Sequence, residues 1–301
     1  MSFSSDAKNE LAAQVPKQSC CAVAQAYGLL EFGNSFSASS IFLKTENKAV
    51  AAVYRSFTIT VCGLEPGSIT ESASASGILT IKMPSELDRI RVIERFGHAQ
   101  NDISIRINRA NFECDDCAAA YLRGAFLSSG AATDPNVDYH LELSTPFHRL
   151  SLDMITLMGE LGFKARLVRR KGNNIIYLKE SEQIEDCLTL MGANNATLEL
   201  MRIKMIKDIR NKANRITNCE SANIGKTATA SVGQIAAIRK IERQQGFNSL
   251  PDELKELALL RLDNPDMSLR ELGENLKKPL SRSGVSHRMR RIIELAKIDL
   301  K

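Results

Sequence analysis

The stretch YLRGAFLSSGAATDP, Tyr121 to Pro135, decides the fold. Small and apolar residues run through it, with Gly124 midway and Gly130 where the helical pattern stops. A mid-helix glycine costs about 1 kcal/mol relative to alanine, so a compensating close approach of another backbone is expected. CCAVAQAYGLLEFG, residues 20–33, has the same texture, and its Gly28 stands 96 residues before Gly124. The elements downstream of each glycine also repeat. After Gly28 come an alternating segment, FSASSIFLKT (36–45), a helical stretch over 49–62, strand-like runs at 68–73 and 77–83, and a charged helix at 85–97. After Gly124 come VDYHLELS (137–144), a helix over 147–162, strands at 163–170 and 173–180, and a helix over 181–192.

A near-constant offset across six elements predicts an internal duplication, with repeats over about 19–97 and 115–192. The strands alternate with period two, as sheets covered on one face require. The expected architecture of residues 1–200 is an α+β saddle of two pseudo-symmetric halves, joined where the two glycine-bearing helices cross.

Charge divides the chain. Residues 202–301 hold 21 Lys+Arg against 12 Asp+Glu, a balance of +9; residues 1–201 hold 19 against 23, a balance of −4. Only the C-terminal part is a natural partner for a polyanion. No run of about 18 apolar residues predicts a membrane span. The opening MSFSSDAKNELAAQVPK mixes charge with apolar residues and lacks a signal-peptide core, so a cytoplasmic, nucleoid-associated protein without a membrane partner is expected.

Seven cysteines at irregular spacing imply no disulfide framework. Cys114-Asp-Asp-Cys117 is a lone CxxC, and no second CxxC or HxxxH supplies the other half of a zinc site, so reduced thiols at a helix entry and no metal or other cofactor are expected. Gly225-Lys226-Thr227 lacks the glycine five positions earlier and the preceding strand of a phosphate-binding loop. It reads instead as part of a small, polar linker over 219–231, which follows a long basic helix in a helical connector and linker spanning about 201–230.

The last segment, 231–301, carries a more specific pattern. LPDELKELALLRLDNP (250–265) predicts a helix with Pro251 in its first turn. SLRELGENL (268–276) opens on a Ser268-x-x-Glu271 capping box. After a Lys277-Lys278-Pro279 turn comes SRSGVSHRMRRIIELA (281–296), where Val285, Met289, Ile292 and Ile293 form a core-facing stripe. The order predicts an all-α helix-turn-helix domain (H-T-H about 268–300) whose third helix enters the major groove of double-stranded DNA. Arg282, Ser283, Ser286, His287 and Arg290 face away from the stripe and are the candidates for base edges. Lys277, Lys278, Arg288 and Arg291 are the candidates for phosphates.

SFSSDAKNELA, YLRGAFLSSGAATDP with YHLELST, NCESANIGKT and SLRELGENLKKPLSRSGVSHRMRRI together resemble the WhiA family of Gram-positive bacterial regulators. The resemblance spans the chain. It implies a LAGLIDADG homing-endonuclease-like fold fused to a C-terminal helix-turn-helix. It also implies a transcription factor acting in cell division and chromosome segregation, with sporulation as the theme in actinobacterial relatives, and other transcription regulators or sigma factors as further partners.

Laid on the nine-letter LAGLIDADG pattern, Leu122, Gly124 and Gly130 fill the first, third and ninth places. In the nucleases the eighth place is an acid that binds divalent metal; here it is Ser129, and Gly33 in the first copy. A serine hydroxyl is a poor sole anchor for a hard cation. Glu31 lies two helical steps, about 200°, from Gly33. Asp134 falls in the loop after the helix. A non-enzymatic lobe is expected. The alternative is a DNA endonuclease or nickase with reassigned metal ligands. A third reading has the saddle grip DNA through Lys164, Arg166 and Arg170, against which the −4 balance and the acids Asp138 and Glu142 argue.

Overall fold

The computed structural model describes residues 2–102 and 104–297, and of Ile224 the backbone only; the last residues of the expected reader domain, 298–301, lie outside that description. Its described residues form two compact units, 1–207 and 208–301.

In the first unit, α1 (Phe3–Ala12) is capped by the Ser2 hydroxyl and buries Ala7 and Leu11. The glycine-bearing segments are α2 (Ser19–Glu31) and α5 (Cys117–Ser129), buried over most of their length. Around them the duplication appears as two four-stranded antiparallel sheets of identical order. The first holds β1 (Ser35–Ser37), β2 (Ser40–Thr45), β3 (Thr70–Ala73) and β4 (Leu79–Lys82), ordered β1-β2-β4-β3. The second holds β5 (Gly130–Ala132), β6 (Leu141–Thr145), β7 (Arg166–Arg170) and β8 (Asn173–Leu178), ordered β5-β6-β8-β7. The central pairings correspond: Leu43 faces Ile81 in one sheet, and Leu143 faces Ile176 in the other. All four are buried.

Equivalent helices cover the sheets: α3 (Lys48–Cys62) and α4 (Glu86–Arg95), then α6 (His148–Glu160) and α7 (Ser181–Met191). Asn47 and Ser85 cap α3 and α4 with side-chain oxygens. Gly63 and Gly162, at φ 60° and 88°, make the left-handed turns after α3 and α6 that an L side chain resists.

Three sequence expectations change in detail. FSASSIFLKT is a tight hairpin, β1–β2, rather than one strand. Gly130 does end the helix, but in extended backbone (φ −73°, ψ 151°) that passes directly into β5, and the next strand is confined to Leu141–Thr145. The linker expected over 219–231 is helical. It lies within α8, which runs unbroken from Asn194 to Gln245.

In the second unit, buried Ile238 and Ile241 of α8 join a core with α9 (Asp252–Asp263), α10 (Leu269–Glu274) and α11 (Arg282–Lys297). The expected capping box is present: the Ser268 hydroxyl accepts from Glu271 N–H, and the Glu271 carboxylate accepts from Ser268 N–H at 2.7 Å. The structure therefore combines an α+β region of two repeats with a helical C-terminal region.

Candidate nucleic-acid interface

The seam between α2 and α5 is where a LAGLIDADG nuclease would work, and its geometry is set by glycine. A Cβ on Gly28 would collide with the Tyr121 carbonyl, and one on Gly124 with the Gln25 carbonyl. The two collisions are equivalent across the pseudo-dyad, so the missing side chains let the backbones touch. Ser128 strengthens the seam by donating its hydroxyl to the Leu29 carbonyl at 2.5 Å.

At the C-terminal end of this seam the acids are missing. Gly33 is buried, and the Ser129 hydroxyl donates back to the Ala125 carbonyl of its own helix at 3.2 Å. Asp134 accepts from the Asn136 backbone and side-chain amides, at 2.8 and 2.9 Å, and so stabilises its own turn. Glu31 is fully buried and aimed into the protein. It accepts from Tyr27 at 2.9 Å and also from Tyr121, while His98 Nε2 lies 3.6 Å away. Burial pushes the Glu31 carboxyl up to about 8, against the pull of the two tyrosine hydrogen bonds. The carboxyl belongs to a structural network that ties Tyr27 to the backbone of Arg106 and Asn108.

At the other end the structure supplies a pair that sequence spacing did not. Cys20 and Cys21, in the first turn of α2, meet Cys114 and Cys117 at the entry to α5. All four sulfurs lie within 4.8 Å of one another. The CxxC is therefore not isolated. Its partner is a vicinal pair 94 residues earlier, invisible to a search for a second CxxC.

The helix-turn-helix is built on its own core. Val285, Met289, Ile292 and Ala296 are the buried face of α11, and Ile293 is half-buried. Gly273 is needed where the chain returns: a Cβ there would strike the Leu280 carbonyl, and Leu280 N–H donates to the Gly273 carbonyl at 3.0 Å. Arg261, only 1% exposed, was overlooked by charge reasoning. Its guanidinium donates to the carbonyls of Asn264, Pro265 and Met267, which fixes the α9–α10 turn.

On the opposite face of α11, Arg282, Ser283, His287 and Arg290 are exposed and Ser286 is half-buried. Ser281 holds the helix start by accepting from Gly284 N–H at 3.3 Å, and its hydroxyl also meets that of Ser283 at 2.9 Å. Arg290 reaches back to the Ser286 hydroxyl at 3.4 Å. Lys277, Lys278 and Arg291 are exposed. Arg288 differs from them: it is half-buried and paired with Glu253 of α9 at 2.7 Å, an ion pair holding α11 against α9. Sequence reasoning also missed a groove of about 550 Å³ lined by Lys226, Arg270 and Arg282 together with Asn223 and Ser268. Lys226, set aside with the phosphate-loop decoy, thus stands near the start of α11.

The comparisons agree with this construction. A family model described as the WhiA LAGLIDADG-like domain matches residues 118–210, and one described as the WhiA C-terminal HTH domain matches 213–296. A protein from Alkaliphilus metalliredigens named "Probable cell division protein WhiA" is 37% identical, with 98% of each chain covered. Proteins of the same name from Clostridium botulinum and Heliobacterium modesticaldum are each 35% identical and cover 98% of this chain, with 98% and 96% of their own lengths. The crystal structure of full-length DUF199/WhiA from "Thermatoga maritima" shares the fold, with a TM-score of 0.58 at 23% identity over the whole of both chains. The chain belongs to the WhiA family.

Proposed function

We propose that this protein is a sequence-specific, DNA-binding transcription regulator acting in cell division and chromosome segregation, and that its LAGLIDADG-like lobe is not a nuclease. The observation carrying the reading is α11: a polar and basic face set against a fully packed apolar one, on a helix about 24 Å long at 1.5 Å per residue. Such a helix fits the major groove, where arginine can grip guanine bidentately and Ser or His can make single bonds. Arg282, Ser283, Ser286, His287 and Arg290 are the base-reading set. Lys277, Lys278 and Arg291 flank them as phosphate contacts, and Lys226 and Arg270 extend the basic surface. Arg288 is the weakest of the phosphate candidates, because Glu253 already engages it. The cell-division theme takes its support from the names of the relatives.

The inactive reading of the lobe rests on chemistry. Neither Gly33 nor Ser129 offers an anionic oxygen, Glu31 is held inside by tyrosines, and Asp134 has no counterpart in the other half. Two experiments test the proposal. Selection of random duplexes by the full chain should yield one enriched motif, and enrichment of none would sink the claim of sequence specificity. Incubating supercoiled plasmid with Mg²⁺ or Mn²⁺ should leave it intact; metal-dependent nicking lost in Glu31→Gln or Asp134→Asn would establish the nuclease instead.

A further inference from the structure

Four thiols converge at the N-terminal ends of the two seam helices, opposite the vacated nuclease positions. Cys114 Sγ lies 3.5 Å from each of Cys20, Cys21 and Cys117 Sγ. These distances are far too long for disulfides, whose S–S bond is about 2.05 Å. They are close to what one metal demands: zinc–sulfur bonds of about 2.3 Å in a tetrahedron put the sulfurs about 3.8 Å apart. A four-iron cluster would hold its thiolates much farther apart, so the spacing fits a single ion.

The surroundings suit the charge such a site carries. Binding exchanges four S–H protons for four metal–sulfur bonds, and Zn²⁺ with four thiolates leaves a net −2. Cys20 and Cys21 occupy the second and third positions of α2, and Cys117 the first of α5, so both helix dipoles place their positive ends at the cluster. Cys117 and Cys21 are buried, while Cys20 and Cys114 are half-exposed, which gives an ion a way in.

We propose that Cys20, Cys21, Cys114 and Cys117 form a structural zinc site that staples the two repeats of the lobe at the N-terminal end of the α2–α5 seam. Because two ligands come from the first turn of α2 and two from the entry to α5, the ion joins segments separated by 94 residues, which a lone CxxC could not do. A closed four-thiolate shell has no open position, so the role is in folding rather than catalysis.

The test is metal analysis of the full-length chain, purified under reducing conditions without chelator from zinc-supplemented cells. One zinc per chain is expected in the wild type and in Cys219→Ser, whose exposed thiol lies outside the cluster. Cys114→Ser/Cys117→Ser should lose it. Should that variant fail to fold, cobalt(II) added to wild-type apoprotein decides: intense thiolate-to-cobalt charge transfer and tetrahedral bands support the site. A folded wild-type chain without metal, whose four thiols react as fast as Cys219 or are joined in disulfides, would overturn it. Iron in place of zinc would overturn the choice of ion.

Discussion

Glu31 is a fully buried carboxyl whose surroundings tie the stability of the lobe to pH. Its pKa rises from about 4.5 unfolded to about 8 folded, chiefly through burial. The folded state therefore holds a proton that the unfolded chain has lost. Stability from this group is complete below pH 4.5 and falls as pH rises toward 8, by at most about 1.4 kcal/mol per unit. His98, lowered by burial, acts in the opposite sense and costs stability as pH falls. Glu31→Gln isolates the first effect. Its melting temperature relative to wild type should climb between pH 5 and pH 8; a constant difference would show that the carboxylate is ionised throughout. In the reader, Arg290→Ala should relax preference at one or two base positions by about 1–3 kcal/mol, whereas Lys278→Ala should weaken every duplex alike. Binding profiles across a mismatch series separate the two, and a uniform loss for Arg290→Ala would remove it from the base-reading set.

At the scale of elements, glycines decide the packing. Gly28→Ala gains about 1 kcal/mol of helix propensity but sets a methyl group against the Tyr121 carbonyl, an overpacking cost of about 3 kcal/mol. The net change, and that of Gly124→Ala, should be clearly destabilising in urea unfolding; neutral variants would mean that the helices do not meet there. Gly225 is the opposite case. It lies inside α8 with open space where a Cβ would go. Gly225→Ala should raise stability by about 0.5–1 kcal/mol, and no gain would favour the loop read from the sequence. That misreading has a physical origin. CESANIGKTATAS is poor in strong helix formers and carries a glycine, yet it contains no proline, and Thr229 bonds back to the Gly225 carbonyl at 2.9 Å. Once a helix is nucleated, extending it through weak residues is cheap. The repeat was legible because its glycines and alternating strands recur at one offset. The cysteine cluster was not, since only the crossing of α2 and α5 brings Cys20 and Cys21 to Cys114 and Cys117. Arg261 was hidden for a related reason: its role depends on three carbonyls in the turn that it folds.

For the molecule as a whole, charge is divided along the chain, −4 over residues 1–201 and +9 over residues 202–301. The duplicated lobe keeps the seam of a LAGLIDADG fold without acids at its eighth positions. The basic C-terminal unit presents α11, and α8 carries exposed Leu198, Met201, Met205 and Ile209. Lys164, Arg166 and Arg170 are exposed at the edge of the second sheet, where a saddle-first mode of binding would need them. The measurement that decides between lobe and reader is a salt titration of the full chain on its selected duplex, by fluorescence anisotropy, beside Arg282→Ala/Arg290→Ala. Affinity should fall about 10³-fold or more between 50 and 200 mM salt if six or more phosphates are contacted. The double variant should bind the selected duplex no better than a scrambled one. Retention of full specificity by that variant, or binding indifferent to salt, would contradict the assignment of DNA reading to α11.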